Sequence, residues 1–125
     1  MPRRQLAEIE RGERAVAAIA GNGASPLYRA PHGVKSPPFV EAARAKRLTM
    51  VAWSLHSRDT FFPDPARVAA RVLRRIRPGD IVVLHDGHDV PGRHRTGCPH
   101  AVKLILAGLR ERGLECVTVS ELLRP

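Results

Sequence analysis

At 125 residues, 43% of them hydrophobic and 26% charged, the chain has the length and composition of one globular domain, which argues against disorder. No apolar run approaches the ~18–20 residues of a membrane span, and the basic start MPRRQLAEIERGERAV lacks the apolar core of a signal peptide, so no membrane partner is expected and the compartment stays open, cytoplasmic by default. The net charge of +9 comes from arginines spread along the chain, with one Trp, one Tyr and three Phe to stack on bases, so nucleic acid is not an expected partner.

Leu6, Ile9, Val16 and Ala20 recur at helical spacing and predict a helix over residues 3–20, stopped by Gly21-Asn22-Gly23. PLYRA (26–30) is short and extended. Ser36 as N-cap and Pro37 at the first helical position open a second helix that turns Phe39, Val40 and Ala43 inward. LTMVAWSL (48–55) reads as one buried strand. Pro65 opens a helix with Val68, Val72, Leu73 and Ile76 on its apolar side and Arg67, Arg71, Arg74 and Arg75 on a solvated side, ended by Pro78-Gly79. DIVVLH (80–85) is the next strand. Val102, Ile105, Leu106 and Leu109 form a helical stripe ended by Gly113. LECVTV (114–119) reads as a last strand, with Cys116 a small hydrophobe inside it, before a short SELL helix. Cys98 and Cys116 make no disulfide framework.

Strands alternating with helices of this length specify an α/β fold with parallel β/α units and right-handed crossovers. Four such units are too few for a closed barrel, so the expected architecture is a small open sheet or part of a barrel. In either case functional groups gather at the carboxyl ends of the strands. Three successive strand ends carry polar, titratable residues: RAPHG (29–33), SLHSRD (54–59) and HDGHD (85–89). Three such loops make a site where one would be unremarkable.

RAPHG, VAWSLHSRD (51–59) and IVVLHDG (81–87) resemble, in order and spacing, the last three motifs of the polysaccharide deacetylases, the NodB-like group or carbohydrate esterase family four. The resemblance covers nearly the whole chain and implies a single domain over residues 1–125 that corresponds to the carboxyl-terminal half of a deformed (β/α) barrel. The implied reaction is hydrolysis of a carbon–nitrogen, non-peptide bond, removing N-acetyl groups from amino-sugar polymers such as chitin or peptidoglycan. By this resemblance His85 is the general acid that protonates the leaving amine, Asp59 orients it, and Arg29 holds the catalytic base. The N–H of His32 would help stabilise the oxyanion, and Trp53 and Leu84 would line the acetyl pocket. The family binds a divalent metal, usually zinc, through an Asp-Asp pair and a His-x-x-x-His motif. Neither occurs in this chain, so zinc binding by the chain alone is not expected.

His85, His88, His94, Cys98 and His100 offer zinc-type ligands, but without paired CxxC or HxxxH spacing they read as a loop over the site. His56 matches no family role and reads as a surface residue. Two alternatives to a working hydrolase stand beside it: a catalytically inactive truncated remnant, or a carbohydrate-binding module of the same fold. A half barrel would also leave strand edges and apolar surface open, which calls for a missing amino-terminal half or a symmetric homodimer.

Overall fold

The computed structural model describes residues 3–21, 25–87 and 95–124. They form two compact units, Met1–Ala52 and Trp53–Pro125, each containing one pair of short parallel strands.

The first unit runs α1 (Arg3–Ala20), β1 (Leu27–Tyr28), a 3-10 turn (Pro31–Gly33), α2 (Pro37–Ala45) and β2 (Thr49–Met50). Leu27 pairs with Thr49 and Tyr28 with Met50. The flanking N–H groups of Thr49 and Val51 donate to the carbonyls of Pro26 and Tyr28, at 2.9 and 2.8 Å. Ile9, Ala42 and Ala43 are buried at the centre, and Leu6, Tyr28, Leu48 and Met50 pack around them. Phe39 and Val40 are only half-buried, so small side chains set the distance between α1 and α2. The apolar stripe of α1 is buried only in its amino-terminal half, and Val16 and Ile19 are 51% and 92% exposed. Length explains this: at 1.5 Å per residue α1 is about 27 Å long and α2 about 14 Å, so α2 covers half of it. Ser36 precedes α2 as expected, yet its carbonyl rather than its hydroxyl receives the first helical N–H groups.

The second unit runs β3 (Leu55–His56), α3 (Pro65–Arg75), β4 (Val82–Val83), α4 (Cys98–Glu111) and α5 (Val119–Leu122). Leu55 pairs with Val82 and His56 with Val83. Ser54 and Asp80 secure this register, because the Ser54 hydroxyl donates to Asp80 at 2.6 Å and accepts the Ile81 N–H at 3.0 Å. Leu55, Ala69, Val72, Ile105 and Leu109 make the core, with Leu73, Ile76, Val82, Leu84, Leu104 and Leu114 packed on it. Asp64 caps α3 by accepting the Arg67 N–H at 2.8 Å. Helices α3 and α4 approach closely at Gly108, where an added Cβ would lie 2.4 Å from a Leu73 methyl. Thr118 and Glu121 form a reciprocal capping box on α5. Among the described residues no helix is long and apolar enough to cross a membrane.

Three sequence expectations are corrected. Residues 48–55 are not one strand: Thr49–Met50 pairs with β1 and Leu55–His56 with β4, and the chain between them joins neither ladder. Apolar character marks a run as buried, but the position of its partners decides where its ladders begin and end. LECVTV forms no strand among the described residues; Leu114 packs on the core while Cys116 and Val117 stand exposed. Arg71 is not on a solvated face, since its Nη1 donates to the Ser57 carbonyl at 2.6 Å and its guanidinium lies 5.5 Å from the centre of the Phe62 ring.

Candidate active site

Beyond β3 the chain turns sharply through Ser57, Arg58 and Asp59. Arg58 takes a left-handed backbone conformation at φ 58°, a geometry that strains a residue with a Cβ. The turn buries Ser57 completely and leaves Asp59 6% exposed. Beyond β4, Leu84 packs on the core and His85 follows it at the strand's carboxyl end. Adjacent parallel strands thus carry Asp59 and His85 to the same end.

The Asp59 carboxylate grips His85 twice. Its Oδ2 accepts the His85 backbone N–H at 2.7 Å, and its Oδ1 lies 2.9 Å from the ring Nδ1. The Ser57 hydroxyl donates to the same Oδ1 at 2.7 Å. A carboxylate only accepts, so the ring carries its proton on Nδ1, leaving Nε2 as the nitrogen able to exchange a proton. Burial pushes the Asp59 carboxyl upward, but hydrogen bonds from Ser57 and His85 outweigh it and hold the group below its ordinary value. Asp59 is therefore ionised near neutrality and stabilises a positive charge on His85.

His56 stands beside the Asp59–His85 pair. Its ring lies 5.8 Å from that of His85, tilted by 33°, and meets Trp53 edge-on at 5.9 Å. Its Nδ1 accepts the Arg58 N–H at 2.8 Å. Asp59, Leu84 and His85 line an open cleft of about 1010 Å³ that Pro63, Pro65, Arg95, Cys98 and His100 also border. Burial, then the negative charges of Asp59 and Asp86, push the Cys98 thiol upward, which disfavours a reactive thiolate.

The residues expected from sequence fall into two groups. Asp59, His85, Leu84 and Trp53 all lie in the second unit, where the Asp59–His85 contact is direct. Leu84 packs on the core and also borders the cleft. Arg29 and His32 lie in the first unit. The exposed Arg29 guanidinium donates to the Ala52 carbonyl at 3.2 Å. His32 is exposed and left-handed at φ 54°, inside the 3-10 turn. Sequence reasoning missed His56, Ser57 and Arg71. No local signal marks them: the strand register brings His56 beside His85, and the turn at Arg58 positions Ser57 and its contact with Arg71.

Divalent metal chemistry asks for convergent donors. Among the described residues no three His, Cys, Asp or Glu side chains come together, so they do not make a metal centre by themselves. His88 and His94 lie outside the described residues.

No family model matches the chain. Over 100 residues it is 36% identical to a peptidoglycan-N-acetylglucosamine deacetylase of Bacillus cereus, covering 78% of this chain and 45% of that protein. Over 116 residues it is 30% identical to a chitooligosaccharide deacetylase of a Bradyrhizobium species, covering 86% of this chain and 52% of that protein. The chain thus spans about half the length of these curated relatives. In fold it is similar to a family 4 carbohydrate esterase of Streptomyces lividans, with a TM-score of 0.81 and 24% identity over 98% of this chain and 59% of that one. It is likewise similar to a pseudoenzyme of the same esterase family from Bacillus anthracis, with a TM-score of 0.83 and 22% identity over 99% of this chain and 41% of that one. These structures share the deformed (β/α) barrel, of which this chain is a part. Sequence and fold together make the chain a member of the NodB-like polysaccharide deacetylases, carbohydrate esterase family four.

Proposed function

We propose that this chain supplies the acid side of an N-deacetylation reaction on N-acetylated amino-sugar polymers. The observation that carries this reading is the buried Asp59 carboxylate gripping both the backbone and the ring of His85. With its proton on Nδ1 held by Asp59, a charged His85 has one proton to give, on Nε2. As the acetyl C–N bond breaks, that proton passes to the departing sugar amine, and Asp59 then holds the neutral ring in the tautomer able to take a proton back. Leu84 borders the cleft, and by the family resemblance Leu84 and Trp53 would contact the acetyl group. By the same resemblance Arg29 would hold the catalytic base and the His32 N–H would help stabilise the oxyanion. The Asp-Asp pair and the His-x-x-x-His motif that supply the family's metal ligands and base do not occur in this sequence.

The test is a chimaera joining the amino-terminal part of the Bacillus cereus relative to this chain, assayed for acetate release from an N-acetylglucosamine oligomer. His85→Ala should lower turnover ~10²–10⁴-fold, the usual worth of a general acid. A folded chimaera whose turnover is unchanged by His85→Ala would refute the assignment. A second reading, carbohydrate binding without turnover, is favoured by the lack of a three-donor group among the described residues. It predicts oligosaccharide binding by the chain with no acetate released by the chimaera.

A further inference from the structure

We infer that His56 is a substrate-positioning residue, holding its ring in one tautomer to present an Nε2–H donor beside His85. A backbone N–H can only donate, so the 2.8 Å contact from Arg58 requires a lone pair on the His56 Nδ1. In the neutral ring the proton then lies on Nε2. Arg58 reaches this contact from its left-handed conformation at φ 58°, so the turn that buries Asp59 also selects the His56 tautomer. At His85 the Asp59 carboxylate selects the opposite arrangement, with the proton on Nδ1. Two imidazoles with centres 5.8 Å apart therefore offer complementary free nitrogens, a donor on His56 and an acceptor on neutral His85.

Trp53 packs edge-on against His56 at 84° and limits rotation of the ring. Among the described residues no hydrogen bond uses the His56 Nε2. A fixed donor beside an aromatic ring suits a neutral ligand that presents an acceptor oxygen on a partly apolar body, such as an acetamido carbonyl or hydroxyl of an amino sugar. This role rests on the proposed reaction at His85 for its substrate class. The tautomer selection does not.

The experiment uses the 125-residue chain, with long-range ¹H–¹⁵N spectra of the imidazoles and a titration with the β-1,4-linked N-acetylglucosamine tetramer. The expected spectra place the proton on Nε2 of His56 and on Nδ1 of His85. A proton on Nδ1 of neutral His56 would overturn the inference whatever the ligand does. His56→Phe keeps an aromatic ring against Trp53 and should weaken tetramer binding about three- to tenfold, the usual worth of one neutral hydrogen bond. His56→Gln, which keeps a donor, should recover most of that loss. An unchanged His85 spectrum in both variants would show that the neighbouring site is intact. Equal affinity of wild type and His56→Phe would sink the positioning role while leaving the deacetylase reading in place. No tetramer binding by wild type, with both tautomers as expected, would count against the amino-sugar reading and the substrate role together.

Discussion

Asp59→Asn tests the site most directly, because the carboxylate has three donors and an amide cannot serve them all. The His85 backbone N–H and the Ser57 hydroxyl are held 2.7 Å from opposite oxygens, with the His85 ring on the Ser57 side. The backbone N–H cannot turn away, so the amide oxygen must face it. The amide NH₂ then faces Ser57, whose hydroxyl can rotate to accept, and the His85 Nδ1, which must give up its proton. The variant therefore shifts the His85 proton from Nδ1 to Nε2. Three bonds to a charged acceptor become neutral ones, each worth about 0.5–1 kcal/mol less, so the loss is about 2 kcal/mol. The Asp59 side chain is 9% exposed, so solvent screens little of this. The pH dependence follows from the lowered Asp59 value. A depressed carboxyl contributes its full stability above the unfolded value near 3.9 and loses it as pH falls through the folded value. Urea melts of wild type and variant between pH 7 and pH 2 should therefore show a gap of about 2 kcal/mol that closes in the acid range. A gap that stays constant across the series, or a His85 proton that remains on Nδ1 in the variant, would refute this account.

Further measurements probe the supports around the site. Arg71→Met should cost about 1.5 kcal/mol in urea melts, because it removes the bond to the Ser57 carbonyl and the contact with Phe62. Asp64→Ala should cost about 1 kcal/mol by uncapping α3. Gly108→Val should cost about 2 kcal/mol by overpacking against Leu73, and most of this should return in the Leu73→Ala background. Sedimentation of the isolated chain at micromolar concentration should show self-association, given that Phe61 is 74% and Phe62 56% exposed. A cooperatively melting monomer would end the half-barrel argument.

The helices were legible because their signals are local. Pro37, Pro65 and the Pro78-Gly79 pair mark boundaries that α2 and α3 respect, and Val68, Val72 and Ile105 bury as their spacing requires. Strands were less legible, since LTMVAWSL and LECVTV are both largely apolar but only the first has partners on the described residues. The Asp59–His85 pair was readable from its motifs and from the rule that strand ends carry chemistry. His56 was not, because its nearness to His85 depends on a register that sets His56 against Val83, two residues short of His85. Ser57 and Arg71 depend on the left-handed turn at Arg58, and no local sequence signal requires that turn in a non-glycine residue. Residues 88–94 lie outside the described residues.

The grip of Asp59 on His85 joins groups 26 positions apart, with α3 and β4 between them. Closing a loop of that length costs about 3 kcal/mol of chain entropy. The contact cannot repay this until α3 has docked and β3 has met β4, so it is expected to form late on the folding path. Its loss should then leave the refolding rate nearly unchanged and appear as faster unfolding. The carboxylate that orients the imidazole is, in kinetic terms, a latch that shuts last and opens first.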